Sequence, residues 1–266
     1  MAIDQPDGVE GHAVDGSPGG DVGPRGSVDG RPCGSGSPGT AAPGADSSRL
    51  ARNAEHRATV DAAYRAYAID RAYEKVSEIE RGIVTPAMKR IEREDPERHL
   101  AGLENRLKGK DRLTEKVQEA MTDRGRTVDQ AVATIKDAIR YTFSYTDEGY
   151  TDGVYADCER LESGGFEFVD RRNSWDAEEY KGINSRWRVP GQGQLFEVQF
   201  HTQASLDAKE ETHWAYEKLR DPATSKAEQE ALSTYQREVT ARVPIPPGAL
   251  EIPDYPRRMT TPCQQR

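Results

Sequence analysis

The segment Leu195 to Thr202 alternates apolar with polar residues, and its polar members could do chemistry. In a strand, successive side chains point to opposite sides of the sheet, so Glu197, Gln199 and His201 would share one face. A carboxylate, an amide and an imidazole on one face could bind a ligand or accept a proton. The same alternation is also typical of an edge strand whose outer face is only solvated. This segment alone leaves both interpretations open.

Basic residues form a second candidate group, between Arg106 and Lys116. A helix over 113–121 would place Arg112 and Lys116 one turn apart on one face. Cations grouped in this way could hold a phosphate, although such residues are more often part of a solvated helix face. The group therefore needs support from other segments of the chain.

Four segments together resemble the nucleotide pyrophosphokinases of the RelA/SpoT family. Residues 196–202, FEVQFHT, are similar to the family's Glu-Val-Gln-Ile-Arg-Thr strand, with His201 in the position of the Arg. Residues 106–116, RLKGKDRLTEK, are similar to its Arg-x-Lys-x-x-x-Ser-x-x-x-Lys motif. The three basic residues stand at the same offsets, and Arg112 takes the position of the Ser.

The other two segments match with larger departures. Residues 137–143, DAIRYTF, resemble the family's Asp-x-x-x-x-Arg strand, but Asp137 lies three residues before Arg140 instead of five. A shift of two residues along a strand would keep the carboxylate on the same side. Residues 180–185, YKGINS, resemble the acceptor loop Gly-Tyr-x-Ser, with Ile183 in place of the base-stacking Tyr.

Members of this family transfer the β,γ-diphosphate of ATP to the 3′-hydroxyl of an acceptor nucleotide. The transfer requires cations along the triphosphate, a metal ion that bridges its oxygens and a base for the attacking hydroxyl. The resemblance implies that Asp137 and Glu197 hold Mg²⁺ and act in catalysis, with Glu197 also the base.

The resemblance also implies two sets of binding residues. The set for ATP is Arg106, Lys108, Arg112, Lys116 and Arg140. Within it, Arg106 and Arg140 would hold the adenine ring between their guanidinium planes. The set for the acceptor follows from a weaker match and is Arg171, Arg172, Lys181, Asn184, Gln199 and His201. His201 would pair with a phosphate in place of the family's Arg.

The expected products are AMP and a purine nucleotide 3′-diphosphate. Because Ile183 replaces the stacking Tyr, we expect a broad range of purine acceptors and not strict use of GDP or GTP. Two alternatives stay open: a toxin that modifies tRNA or adenosine nucleotides, and a noncatalytic nucleotide-binding domain. Retention of Asp137 and Glu197 together with the basic motif favours an enzyme.

The composition of the 266-residue chain limits its partners. A net charge of −9 and a pI of about 5.2 argue against nonspecific binding to DNA or to an anionic membrane, and against a tRNA substrate, since these require a basic surface. No apolar run reaches the length that spans a bilayer. Three dispersed cysteines indicate neither a disulfide framework nor a metal site. We expect a cytosolic protein, although some members of the resembled family are secreted.

The resemblance and the hydrophobic periodicity together predict an α/β fold of the nucleotidyltransferase type, a mixed β-sheet flanked by helices with a long N-terminal helical segment. Residues 1–48 are expected to be a disordered leader, 49–243 the folded domain with its motifs in 106–216, and 244–266 an extended, proline-rich tail. The segment 49–107 would brace the sheet and is a candidate surface for a homo-oligomer. Helices are predicted at 48–81, 100–107, 113–121, 127–133, 150–162, 204–220 and 225–241, and strands at 138–145, 166–172, 185–189 and 195–202.

Overall fold

The computed structural model describes residues 44–256. The chain divides after Ala51, and the described part from Arg52 onward forms one compact unit that contains every site discussed below. The predicted leader, up to residue 43, and the end of the predicted tail, from residue 257, lie outside the described residues.

Helices and strands follow one another along the described chain as the predicted α/β class requires. The helices are α1 (Gly44–Ile79), α2 (Thr85–Arg93), α3 (Lys110–Arg124), α4 (Val128–Thr134), α5 (Tyr150–Ser163), α6 (Gln203–Leu219) and α7 (Lys226–Thr240). The strands are β1 (Arg98–Ala101), β2 (Arg140–Tyr145), β3 (Glu167–Asn173), β4 (Ile183–Arg188) and β5 (Leu195–Thr202). Shorter turns are the π-helical Glu80–Val84 and the 3₁₀-helical Leu103–Asn105 and Ala249–Glu251. Among these residues, no helix is long and apolar enough to cross a membrane.

The five strands form one mixed sheet in the order β1-β2-β5-β4-β3. Strands β2 and β5 are parallel, and every other neighbouring pair is antiparallel. A parallel pair needs a long connection, and here the chain passes through α5, β3 and β4 before it returns as β5. The predicted mixed sheet, flanked by helices and preceded by a long N-terminal helix, is confirmed.

The end of the helix predicted at 48–81 is only a local irregularity. Gly82 lies in the π-helical turn that joins α1 directly to α2. Pro86 lies in the first turn of α2, where its missing N–H removes no hydrogen bond of that helix. The helical segment therefore continues to Arg93, and its π-helical turn brings a buried carboxylate, Glu80, into the domain.

The helix predicted at 100–107 is wrong. Residues Arg98–Ala101 form strand β1, in which Leu100 is paired with Phe143 of β2, and a 3₁₀ turn follows. The hydrogen-bond partners of this strand lie about 40 residues further along the chain, beyond the reach of local periodicity. A short apolar run can form either a helix or a strand, and here pairing with β2 at the edge of the sheet selects the strand.

One face of the sheet is apolar and forms the centre of the core. Phe143, Val198 and Phe200 are fully buried on it, and the rings of Phe143 and Phe200 are stacked with centroids 6.4 Å apart. Ala249 and Ile252 are buried in the same core cluster. The described part of the predicted tail is therefore packed against the domain.

Helix α6 begins directly where β5 ends. The hydroxyl of Thr202 accepts a hydrogen bond from the Ser205 N–H at 3.3 Å, and Ser205 Oγ accepts one from the Thr202 N–H at 3.0 Å. This reciprocal capping box satisfies two N–H groups at the start of the helix. Because no loop separates β5 from α6, the first turns of the helix lie against the second face of the sheet.

Gly153 of α5 should tolerate no side chain. A Cβ atom there would lie 2.6 Å from two ring carbons of Tyr145, whose ring is buried and whose hydroxyl donates to Asp157 at 2.7 Å. Gly153→Ala should lower the free energy of unfolding by about 1–3 kcal/mol, as overpacking of a core does, although Ala favours a helix more than Gly. Urea titration measures this change. The control is Gly82→Ala, whose Cβ would have no neighbour within 4 Å; equal effects of the two substitutions would contradict the clash.

Candidate active site

The second face of the sheet is polar, and the strand register assembles it in rows. The first row consists of Arg140, Glu197, Arg186 and Asp170, from β2, β5, β4 and β3. The second row consists of Thr142, Gln199, Asn184 and Arg172, in the same strand order. Segments that are distant in sequence thus meet on one surface, which we call the polar face.

Asp137 lies in the turn before β2, next to the first row, and three cations contact it. Its carboxylate is 3.1 Å from Lys108 Nζ, 2.8 Å from Lys116 Nζ and 3.3 Å from Arg140 Nη2. Burial raises the pKa of this carboxyl, but the hydrogen bond from Lys116 and the charge of Lys108 lower the pKa overall to about 2. Asp137 is therefore ionised at neutral pH, and positive charge is in excess around it.

Arg140 joins Asp137 to the other predicted catalytic carboxylate. Its Nε donates to Glu197 Oε2 at 2.5 Å, and its Nη2 contacts Asp137. Although burial lowers the pKa of Arg140, the charge of Glu197 and then that of Asp137 raise it overall. The structure thus brings the two carboxylates together on either side of one guanidinium group.

Arg106 pairs with a carboxylate that none of the motifs includes. Its Nε donates to Oε1 of the buried Glu80 at 2.7 Å, and the hydroxyl of Tyr141 donates to the same oxygen at 2.9 Å. The backbone N–H of Arg140 donates to the carbonyl of Arg106 at 2.8 Å, which places the two residues side by side. Their guanidinium groups pair with different carboxylates, and the adenine clamp expected of them stays a prediction.

The basic motif divides into residues that reach the site and one that does not. Lys108 and Lys116 both contact Asp137. The side chain of Arg112 is 70% exposed and pairs with Glu115 of the same helix at 3.2 Å. The structure therefore does not bring Arg112 to the polar face, because its side chain extends into solvent.

The acceptor residues divide in the same way. Three of them lie in the second row: Arg172, Asn184 and Gln199. Arg171 is one residue away from Arg172 on β3 and therefore lies on the opposite side of the sheet from the second row. It donates to the carbonyl of Pro253 at 2.9 Å, which holds it against the C-terminal segment. Lys181 donates to the carbonyls of Trp175 and Ala177 at 2.9 and 2.7 Å, and so braces the loop between β3 and β4. The structure therefore does not bring Arg171 or Lys181 to the polar face, where they were expected to bind the acceptor.

His201 cannot supply the positive charge expected of it. It is fully buried, with Nε2 2.9 Å from the Tyr180 hydroxyl and Nδ1 2.8 Å from the Ser205 hydroxyl. Burial, followed by the charge of Lys209, lowers the pKa of His201 to about 3. A neutral imidazole whose two nitrogens are both engaged within the protein does not bind a phosphate, so this assignment is wrong.

The aromatic side chain next to the polar face is Tyr180 and not residue 183. Ile183 is fully buried on the apolar face, opposite Phe200. The hydroxyl of Tyr180 donates to Asn184 Oδ1 at 2.9 Å. A Tyr at position 183 would therefore enter the core, and Ile183 carries no information about the acceptor base.

Sequence reasoning missed two residues of the first row. Arg186 and Asp170 form an ion pair with each other and extend the row that begins with Arg140 and Glu197. Arg186 precedes the fully buried Trp187 on β4. Because side chains alternate along a strand, this neighbour could have indicated that Arg186 lies on the polar face.

A third missed residue comes from α6. Lys209 Nζ donates to Gln199 Oε1 at 2.8 Å. Lys209 lies four residues after the buried Ser205 and three before the buried Thr212, which is the spacing of one helix face. A lysine on the buried face of the helix could have indicated a residue of the site.

The donors at the site fit Mg²⁺ only when a nucleotide is also present. Asp137 and Glu197 offer carboxylate oxygens, and Mg²⁺ is usually bound through one or two carboxylates, with substrate phosphates and water completing its shell. In the part of the chain that the structure describes, no group of three or more His, Cys, Asp or Glu side chains could hold a metal ion. Any Mg²⁺ at these two carboxylates therefore depends on oxygens from the substrate.

No protein-family model and no curated protein matches the chain. Solved structures of similar fold include the small alarmone synthetase 1 from Bacillus subtilis bound to its product pppGpp (16% identity, 65% of this chain and 89% of that chain, TM-score 0.42). They also include a GTP pyrophosphokinase family protein from Streptococcus pneumoniae (18% identity, 65% of this chain and 87% of that chain, TM-score 0.39). Another is the small alarmone synthetase 2 from Bacillus subtilis (14% identity, 64% of this chain and 86% of that chain, TM-score 0.42). These are proteins of the kind that the motifs predicted the chain to resemble. Similarity at this level gives neither its substrate nor its mechanism, which depend on the geometry of its own site.

The neutral state of His201 predicts how stability depends on pH. Its pKa is 6.5 in the unfolded chain and about 3 in the folded one. The contribution of this group is complete above pH 6.5 and is lost as the pH falls from 6.5 toward 3, by about 1.4 kcal/mol per pH unit. Between pH 6.5 and 3.8, above the range in which Asp137 titrates, His201→Gln should remove this part of the slope.

Urea titrations at several pH values in this interval measure the free energy of unfolding. His213→Gln is the matched control for the same substitution, since His213 is exposed on α6. A His201→Gln protein with the wild-type slope would show that His201 is not buried in its neutral form.

Proposed function

We propose that this chain is a nucleotide 3′-pyrophosphokinase, which transfers the β,γ-diphosphate of ATP to the 3′-hydroxyl of a purine nucleotide and releases AMP. The observation that carries the proposal is the line of charges from Lys116 through Asp137 and Arg140 to Glu197, on the polar face where β2 begins. This line combines cations that suit a triphosphate with a carboxylate that can accept a proton.

The cations around Asp137 are the proposed site for the ATP phosphates. Lys108, Lys116 and Arg140 contact Asp137, and Arg140 also pairs with Glu197, so three cations face two carboxylates and their positive charge is only partly balanced. A triphosphate would balance the remainder, and cations that are already in position stabilise its charge without reorganisation during the transfer. Asp137 keeps them in position before the substrate arrives.

Glu197 is the proposed base. Arg140 Nε fixes its Oε2 at 2.5 Å, which leaves the carboxylate oriented on the polar face. The acceptor 3′-oxygen forms a bond to the β-phosphorus of ATP while the bond from that phosphorus to the oxygen shared with the α-phosphate breaks. AMP leaves with the electron pair of that bond, and the proton of the 3′-hydroxyl passes to Glu197.

Asp137 and Glu197 are also the residues that would hold Mg²⁺ once the nucleotide supplies further oxygens. When bound, Mg²⁺ neutralises the charge on the phosphates and orients their oxygens. The three cations at Asp137 would then lie beside the phosphate oxygens.

The second row of the polar face is the proposed side for the acceptor. Asn184 and Gln199 offer amide groups to a ribose or a base, and the exposed Arg172 offers a positive charge. Tyr180 places an aromatic ring beside Asn184. These groups suit a purine nucleotide, and the assay below ranks the bases.

The direct test is mass spectrometry of ATP incubated with the purified full-length protein, Mg²⁺ and each of AMP, ADP, GDP, GTP and tRNA. We expect a mononucleotide to gain the mass of a diphosphate while ATP is converted to AMP. Gain on tRNA alone would favour the toxin alternative instead. An absence of transfer to every acceptor would leave a noncatalytic nucleotide-binding domain.

Glu197→Gln tests the mechanism in the same assay. The amide keeps the size of the side chain but cannot accept the proton, so the transfer rate should fall by about 10²- to 10⁴-fold. Thermal melting of the variant should show that it is folded. Transfer at the wild-type rate would remove Glu197 from the mechanism.

Lys116→Met and Arg112→Met form a matched pair on α3. Lys116 contacts Asp137 at 2.8 Å, whereas Arg112 is largely exposed and pairs with Glu115. The first substitution should raise the KM for ATP by about tenfold or more, because it removes a charge-assisted phosphate contact. The second should leave KM near the wild-type value. Equal KM changes in the two variants would contradict the ATP site proposed here.

A further inference from the structure

Helix α6 places one lysine against the polar face without an acidic partner. Lys209 Nζ donates to Gln199 Oε1 at 2.8 Å, and Thr142 Oγ1 donates to the same oxygen at 3.3 Å. Within residues 44–256, Lys209 forms no ion pair. Lys108 and Lys116, on the other side of Glu197, both contact a carboxylate.

This arrangement is costly for the protein alone. Burial and the neighbouring charge of Arg140 lower the pKa of Lys209 to about 8, although Glu197 and Glu210 act in the opposite direction. An ammonium group that is partly withdrawn from water and forms no ion pair destabilises the folded state. An anionic group of a ligand would offset this cost, so the lysine has the properties of an anion-binding residue.

The register places Lys209 on the acceptor side of the base. Asp137 precedes the first row along the chain, and that row contains Glu197. The amide that Lys209 contacts belongs to the second row, two residues further along β5. If the triphosphate of ATP lies at Asp137 and the reacting hydroxyl lies at Glu197, the anion nearest to Lys209 belongs to the acceptor.

The candidate on strand β5 itself is excluded by its surroundings. His201 lies on the same strand, two residues beyond Gln199, but it is fully buried between Tyr180 and Ser205. We propose that Lys209 of α6, and not a residue of β5, binds the 5′-phosphate of the acceptor nucleotide. The inference rests on the proposed function for the identity of the acceptor, but it can be tested by binding alone.

Calorimetric titration of the full-length protein with GDP and with guanosine, at saturating α,β-methylene-ATP, separates the phosphate contact from the rest of the nucleotide. Lys209→Met should weaken GDP binding by about tenfold or more, because it removes a charge-assisted hydrogen bond, and should leave guanosine binding unchanged. Lys209→Arg should recover most of the GDP affinity. Lys218→Met, at an exposed lysine of the same helix, should match the wild type.

Several results would overturn the inference. One is a Lys209→Met protein that binds GDP as the wild type does, and another is a wild type that binds GDP no more tightly than guanosine. A loss of affinity for α,β-methylene-ATP in place of GDP would assign the lysine to the other substrate. Equal losses in Lys209→Met and Lys209→Arg would show that the shape of the side chain matters and not its charge.

The test stays independent of folding and of catalysis. Since Lys209→Met removes a buried ammonium group, the variant should melt at or above the wild-type temperature. If it melts lower, Lys209→Gln, which keeps a donor for Gln199, replaces it and decides the same question. If the wild type transfers no diphosphate but binds GDP through Lys209, the proposed function fails while this inference stands.

Discussion

The parallel pairing of β2 with β5 is the constraint on which the polar face depends. It sets Arg140 beside Glu197 and Thr142 beside Gln199, although the members of each pair lie 57 residues apart in the chain. Because side chains alternate along a strand, this register sends these four residues to one face and the buried aromatic residues to the other. A slip by one residue would exchange the two faces, so the same hydrophobic burial that stabilises the core also specifies the site.

A polar face beneath a helix has to satisfy its own groups, and this domain does so in two ways. At the centre, opposite charges alternate through Asp137, Arg140 and Glu197, so that each ion has a partner. Nearer to α6, the buried imidazole of His201 is neutral and is hydrogen-bonded on both nitrogens. Lys209 departs from this pattern, since it forms no ion pair with any residue that the structure describes. Unbalanced charge of this kind at a functional site is a cost in stability that binding can offset.

Three of the assignments that did not hold depend on the direction of a side chain. Arg171 and Ile183 are each one residue out of step with the polar rows and therefore face the other side of the sheet. Arg112 belongs to the basic motif, but its side chain extends into solvent from α3. The helix predicted at 100–107 is instead a strand and a 3₁₀ turn, because its pairing partner is provided by β2. For the residues of the sheet, the missing information was the pairing between strands that are distant in the chain.

The sequence by itself determined the α/β class, strand β5 at residues 195–202 and the candidate carboxylates Asp137 and Glu197. These features follow from hydrophobic periodicity and from motifs that are contiguous in the chain. Only the tertiary structure decided which cations meet Asp137, why Arg106 pairs with Glu80, and which of His201 and Lys209 carries a charge. The ionisation of a side chain depends on its burial and on partners brought near by the fold, and neither can be read from local spacing.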